Sequence, residues 1–218
     1  GFNMFYKKIL VLICLLFLVC FPRVSSAGME EVGDATCRIS TGVSSGTGII
    51  FKENEDELFI LTAAHVLLDD RGSPQLNLSV KLYNSGKISH AIPAYNVVAH
   101  YMPTTTLDIA VIKIKKADLL NYPKPDVIPL AEKDYEIKEG DTILSFGCPQ
   151  GFWPSGWKGN VLLAEKGRTV FRPYAIPGRS GSGIFDKEGT KVIGIIIWRS
   201  GTAVPLGLIH AILETHGI

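Results

Sequence analysis

The feature that most restricts the fold of this chain is its division, from Gly33 onward, into many short apolar segments separated by turns. Segments 48–51 and 57–62 flank an acidic turn, and Leu76, Leu78, Val80 and Leu82 alternate with polar residues, as in a half-buried strand. Glycine and proline separate the further apolar segments, which include 109–114, 142–147, 160–166 and 191–198. This pattern predicts an all-β sandwich or barrel fold, with enough strands for two barrels.

The chain also shows a candidate boundary between two halves. Residues 115–126 are charged and contain two prolines, which is typical of a linker. We therefore expect one β-barrel over residues 28–114 and a second over 127–218. Apolar residues recur at helical spacing from Leu208 to Leu213, so we expect a C-terminal helix that packs on the second half.

The first 27 residues have the layout of a secretory signal peptide. Two lysines precede an apolar run of 13 residues, Ile9 to Phe21, and Ser25 and Ala27 stand at −3 and −1 of a cleavage point. The alternative is a membrane anchor, but 13 residues span only about 20 Å as a helix, less than a hydrocarbon core of about 30 Å. We expect a secreted or periplasmic protein with no stable membrane insertion once residues 1–27 are removed.

Charge and cysteine content restrict the partners. The full chain has a net charge of +1, and loss of three basic and no acidic residues with the leader gives −2. No basic stripe is visible, so we expect no nucleic-acid partner. Cys37 and Cys148 remain after cleavage, either as a disulfide or as two buried thiols, and their spacing does not indicate a metal site. We expect neither a metal nor an organic cofactor.

Three segments carry reactive side chains in the order His, Asp, Ser. They are TAAH ending at His65, DIA beginning at Asp108, and GRSG around Ser180. Together they resemble the motifs of chymotrypsin-like (trypsin-like) serine peptidases, from about Gly33 to the C-terminus. The resemblance is greatest to the bacterial Deg-type (high-temperature-requirement) branch, because GTGII at 46–50 and FGCP at 146–149 are similar to segments of that branch. No segment the size of a PDZ domain follows the resembling region in this sequence.

The resemblance implies two six-stranded antiparallel β-barrels with the active site between them. His65 and Asp108 would lie on the first barrel and Ser180 on the second, as a catalytic triad that hydrolyses peptide bonds of a protein or peptide substrate. A serine hydroxyl needs such an imidazole base, and a carboxylate orients the imidazole. The amide groups of Gly178 and Ser180 would form the oxyanion hole. Ser182 competes as nucleophile, but only Ser180 has Gly two residues before it and directly after it.

Other positions are assigned by the same alignment. Tyr174 would lie at the base of the primary specificity pocket, and Ile197, Trp198 and Arg199 on the strand that binds the substrate. Arg179 stands where the digestive enzymes have the Asp that pairs with a newly cut N-terminus, so we expect no zymogen switch. Arg179 itself reads as a solvated turn residue.

Two alternative functions are open. A catalytically inactive homologue that serves as a binding module would keep the barrels and lose a triad residue, whereas all three are present. An α/β-hydrolase esterase would need GxSxG at the nucleophile, the order Ser, Asp, His, and alternating helices; here Ser182 stands two residues after Ser180, the order is His, Asp, Ser, and helical patterns are scarce.

Overall fold

The computed structural model describes residues 27–69, 71–84, 86–165, 167–198 and 201–218. The predicted signal peptide lies outside the described residues apart from Ala27, which begins helix α1 (Ala27–Asp34). Helix α2 (Leu206–Thr215) follows the last strand, and Leu206, Ile209, Ile212 and Leu213 on one face of it are buried. The expected C-terminal helix is therefore present and extends two residues further at each end. Within the described part of the chain, neither helix is long and apolar enough to cross a bilayer.

The N-terminal half contains eight strands: β1 (Thr36–Ser40), β2 (Ser45–Glu53), β3 (Glu57–Thr62), β4 (Ser79–Asn84), β5 (Lys87–Ile88), β6 (Ile92–Pro93), β7 (Tyr95–Tyr101) and β8 (Asp108–Lys115). Their order is β5-β4-β1-β2-β3-β8-β7, and β6 also pairs with β4. All pairs are antiparallel. The half differs from the expected six-stranded barrel, because the two-residue strands β5 and β6 add to the edge at β4 and the described ladder does not close.

The C-terminal half is a closed barrel of six strands in the order β10-β11-β14-β13-β12-β9. The strands are β9 (Thr142–Gly147), β10 (Ser155–Glu165), β11 (Arg168–Arg172), β12 (Gly183–Phe185), β13 (Val192–Trp198) and β14 (Thr202–Pro205). Apolar side chains of alternate residues fill it, and Trp157 stacks on the fully buried Phe171 with ring centroids 5.5 Å apart. The all-β fold with a closed barrel and a C-terminal helix is thus confirmed.

The connection between the halves runs from the end of β8 at Lys115 to the start of β9 at Thr142. It begins with a short 3-10 helix, Lys116–Leu119, and continues without regular structure. Ile128 donates its amide hydrogen to the Ile50 carbonyl of the first half, and Ala131 donates to the Val192 carbonyl of the second. The segment after the expected linker is therefore fixed to both halves.

Helix α1 also contacts both halves. Val32 is fully buried, and the Thr36 hydroxyl at the start of β1 donates to the Val32 carbonyl at 2.7 Å. On the other side, Gly33 lies against the ring of Phe146 in β9. The residues that directly follow the predicted cleavage point are thus part of the folded core.

Both remaining cysteines are buried and free. The sequence left open whether these cysteines form a disulfide or remain thiols, and in the structure they are two thiols. Burial raises the pKa of Cys148 to about 12 and moves the pKa of Cys37 well above its ordinary value.

Candidate active site

His65 and Asp108 form a close pair on neighbouring strands of the N-terminal half. His65 lies in the 3-10 helix Ala64–Val66, just after β3, and Asp108 is the first residue of β8, which pairs with β3. The His65 Nδ1 atom is 2.5 Å from Asp108 Oδ2, and the His65 amide donates to Oδ1 at 2.9 Å. The Asp108 side chain is 1% exposed and that of His65 32%. With Nδ1 donating to this buried carboxylate, Nε2 is the acceptor and faces the open side.

Ser180 lies in the turn that precedes β12 and is partly exposed. The turn is fixed to β13 because Gly181 donates its amide hydrogen to the Ile196 carbonyl at 2.8 Å. Ser180 and His65 line the same pocket of about 330 Å³, which lies where the two halves meet. The structure thus brings together the three side chains that the sequence analysis grouped.

The turn requires glycine at positions 178 and 181, because its backbone is left-handed there and lies close to neighbouring segments of the chain. Gly178 has φ +88° and Gly181 φ +85°, a region that other residues rarely adopt. A Cβ atom at Gly181 would lie 2.1 Å from the Thr47 carbonyl oxygen, and one at Gly178 would lie 2.5 Å from the Cys148 carbonyl oxygen. Within the described part of the chain, no acceptor is found for the amide hydrogens of Gly178 and Ser180, and both residues line the pocket.

Thr47 in β2 fixes this turn from the opposite half, a role that the sequence analysis did not identify. Its amide donates to the Ser180 carbonyl at 2.8 Å, and its hydroxyl donates to the Gly178 carbonyl at 2.8 Å. The same hydroxyl accepts the Cys148 amide hydrogen at 2.9 Å. The motif GTG at 46–48 did not reveal these bonds, although Gly46 also lies close to the turn, since a Cβ there would be 3.0 Å from the Ser180 carbonyl oxygen.

Ser182 is in a different environment from Ser180. It is fully buried, and its hydroxyl oxygen has no hydrogen-bond partner in the described part of the chain. Gly147 lies directly against it, since a Cβ there would be 2.0 Å from that oxygen. The packing leaves a substrate no path to Ser182, which agrees with the choice made from the glycine spacing.

Arg179 is not a solvated turn residue, so that interpretation was wrong. It is 5% exposed, its guanidinium donates to the Ser155 carbonyl at 2.7 Å and to the Ser155 hydroxyl at 3.0 Å, and it lies over the ring of Trp157. Burial lowers the pKa of Arg179. The residue before Ser180 is therefore fixed to β10 of its own barrel.

The pocket beside Ser180 is mainly apolar. Its lining contains the side chains or backbone of His65, Ala175, Ile176, Pro177, Gly178, Ser180, Ile196 and Ile197. Ile197 is 3% exposed and forms part of the wall, as the alignment suggested. Ile176 and Pro177 were not identified from the sequence.

The structure places Tyr174 outside this pocket, contrary to its expected position at the base. Its side chain is 54% exposed, its hydroxyl accepts a hydrogen bond from Arg172 at 3.2 Å, and the Arg172 guanidinium lies over its ring. Tyr174 is not among the residues that line the pocket. Trp198 ends β13, where its backbone pairs with Thr202. Arg199 lies outside the described residues.

Known proteins resemble the chain in sequence and in fold. The trypsin-like peptidase domain family matches residues 46–195, which is more than half of the chain. No curated protein sequence matches it significantly. Among solved structures, an inactive form of Rv3671c from M. tuberculosis H37Rv is similar with a TM-score of 0.66 and 18% identity, over 89% of this chain and 92% of that one.

Two further structures show the same fold. The serine endoprotease from Yersinia pestis has a TM-score of 0.67 and 22% identity, over 89% of this chain and 68% of its own. Deg5 has a TM-score of 0.66 and 17% identity, over 84% and 89%. The expected resemblance to trypsin-like peptidases and to the Deg-type fold is thus confirmed, and the chain belongs to the trypsin-like peptidase domain family.

Proposed function

We propose that this chain is a serine endopeptidase that cleaves peptide bonds through Ser180, His65 and Asp108 and an acyl-enzyme intermediate. The observation that carries the proposal is the buried Asp108 carboxylate, which bonds both the imidazole and the backbone amide of His65 beside the pocket that Ser180 also lines. A carboxylate that is 1% exposed and bonded to a histidine in a cleft is the arrangement that a general base requires.

In the first step, the Ser180 Oγ attacks the carbonyl carbon of the substrate and gives its proton to His65 Nε2. The Asp108 carboxylate stabilises the resulting imidazolium. The C–N bond then breaks, and His65 donates that proton to the leaving amine, which leaves an ester of Ser180. Water hydrolyses the ester in the second half of the reaction, again with His65 as base, and restores the serine.

The amide groups of Gly178 and Ser180 stabilise the oxyanion that forms during both halves. The peptide groups that carry these amides are fixed through their carbonyls, because Pro177 accepts the Gln150 amide hydrogen at 2.7 Å and Arg179 accepts that of Ser182 at 2.9 Å. Thr47 bonds the adjoining Gly178 and Ser180 carbonyls and so fixes the rest of the turn. Donors oriented before the reaction stabilise developing charge without a cost for reorganisation at that moment.

The pocket supports cleavage after small or medium uncharged residues. Its lining includes isoleucine, proline and alanine residues, and no carboxylate lies among the lining residues to pair with a substrate Lys or Arg. We propose Ile197 as a pocket wall and retain Trp198 and Arg199 as candidate substrate contacts. Tyr174 is not retained, since it is not among the residues that line the pocket.

We propose export by cleavage after residue 27, with the mature protein secreted or periplasmic and built from halves 28–114 and 127–218. The support is that helix α1, which begins beside the expected cleavage point, packs against both halves with Val32 fully buried. The reaction written above uses only side chains and amide groups of the chain and water.

A pair of matched variants tests the function. Ser180→Ala should reduce kcat by about 10³-fold or more, whereas Ser182→Ala should retain most of the activity, because the Ser182 hydroxyl is buried and has no partner. The assay is hydrolysis of fluorogenic peptides that vary only at P1, with Val and Ala expected to exceed Arg and Lys by about tenfold or more in kcat/KM. A folded wild-type protein without peptidase activity would favour the binding-module alternative.

A further inference from the structure

Two histidines from opposite halves of the molecule meet on the surface, away from the pocket that Ser180 lines. His100 is in β7 of the N-terminal half, and His216 directly follows helix α2 at the end of the C-terminal half. Their Nε2 atoms are 3.0 Å apart and their ring centroids 5.3 Å apart. His100 is partly exposed and His216 is exposed, so solvent reaches both rings.

This geometry is close to that of two ligands on one metal ion. With Zn–N distances of 2.0–2.1 Å and a tetrahedral angle, two ligating nitrogens lie about 3.3 Å apart. The separation of 3.0 Å would need to increase by only a few tenths of an ångström. Imidazole nitrogen is a ligand for Zn²⁺, Ni²⁺ and Cu²⁺, whereas Mg²⁺ and Ca²⁺ prefer oxygen.

Both ligands are held on fixed backbone. The His216 amide donates to the carbonyls of Ile212 and Leu213 at 3.2 and 3.1 Å, and His100 pairs with Ile109 in the ladder between β7 and β8. The C-terminal end of a helix carries a partial negative charge, which favours a cation at His216. A metal ion would therefore find two ligands whose positions are already set.

We propose that His100 and His216 form a binding site for a divalent transition metal, with zinc as the reference ion. Their Nε2–H···Nε2 contact contains one proton, which moves to Nδ1 of the same ring when the second nitrogen becomes a ligand, so each neutral imidazole offers Nε2 to the metal. The described residues contain no cluster of three or more ligating side chains, so water completes the coordination. The ion joins β7 to the end of α2 and thereby cross-links the two halves.

The site also lies near the elements that carry the proposed catalytic pair. Tyr101, the residue after His100, is opposite Asp108 in the ladder, and its ring centroid is 6.3 Å from that of His65.

Because the ion binds only the folded protein at this pair, it stabilises the fold by mass action. This inference does not depend on peptidase activity.

The test is titration of the purified protein with ZnCl₂, with calorimetric binding and the melting temperature as readouts. We expect one zinc ion per chain, a rise in Tm that saturates, and at least about tenfold weaker binding in His100→Gln and in His216→Gln. Each single variant retains only one imidazole and cannot chelate the ion. The double variant should therefore bind zinc no more weakly than either single variant.

His90→Gln is the matched control, since His90 is another exposed histidine. It should bind zinc as the wild type does, and MgCl₂ should produce no change in Tm. His65→Gln identifies zinc bound at the proposed catalytic base, and such binding would persist in the His100 and His216 variants. The proposal is overturned if the wild type binds no zinc, or if both single variants bind it with unchanged affinity.

Discussion

The sharpest prediction concerns Thr47, whose hydroxyl connects the first half of the molecule to the turn that carries Ser180. Thr47→Val keeps the shape and β-branching of the side chain and removes only the hydroxyl. Two hydrogen bonds are lost: a partly buried one to the Gly178 carbonyl at 2.8 Å and a buried one from the Cys148 amide at 2.9 Å. Both backbone groups are left without that partner.

The magnitude follows from these two contacts. A hydrogen bond contributes about 0.5–1.5 kcal/mol net, and a buried group left unsatisfied costs about 1–3 kcal/mol. We therefore expect Thr47→Val to lower the free energy of unfolding by about 2–4 kcal/mol. Because the Gly178–Arg179 peptide group, which lies between the two proposed oxyanion donors, is no longer fixed, we also expect kcat to fall by about ten- to a hundredfold, less than the loss of a whole oxyanion donor.

Thr36→Val is the matched control. Thr36 is 1% exposed and its hydroxyl makes a single bond, to Val32 at 2.7 Å, remote from the turn. It should cost about 1 kcal/mol and leave kcat unchanged. The measurements are urea unfolding and steady-state hydrolysis of one fluorogenic peptide, and Thr47→Ser should restore kcat. If Thr47→Val loses stability as calculated but keeps its kcat, the reasoning that Thr47 positions the oxyanion turn is wrong.

Two further predictions concern the thiols and the N-terminus. Burial raises the pKa of Cys148 to about 12 and also raises that of Cys37, so both remain protonated thiols at neutral pH. Both should therefore react with a disulfide reagent only after unfolding. Rapid reaction of either cysteine in the native mature protein would contradict this prediction. The guanidinium of Arg179 is held by Ser155, so this position needs no newly cut N-terminus as a partner. A chain that begins at Gly28 should therefore be active as purified. Activity that appears only after a later internal cut, detected by intact mass, would refute this prediction.

Strand positions were largely predictable because periodicity and turns are local signals. The apolar segments 57–62 and 142–147 coincide with β3 and β9. The alternation from Leu76 to Leu82 predicted a strand that starts too early in the sequence, because β4 begins at Ser79 and Leu76 is 80% exposed. Asn77 has φ +58°, which interrupts the extended backbone and ends the alternation there.

The proposed site was predictable where a motif marks it, and less so where only tertiary contacts do. His65, Asp108 and Ser180 lie in short motifs, and the structure brings them to neighbouring positions. Tyr174 was placed by sequence spacing alone; in the structure it contacts Arg172 and does not line the pocket. Thr47 is 131 residues from Gly178 along the chain, so no local pattern could reveal their hydrogen bond.

The most direct test of the account is covalent labelling of the folded protein with a fluorophosphonate, which reacts only with a serine activated by a base beside an oxyanion site. We predict one label per chain, on the peptide that contains Ser180, with labelling lost in Ser180→Ala and retained in Ser182→Ala. A folded protein that takes up no label, or a label found on Ser182, would contradict the assignment of Ser180 as the nucleophile.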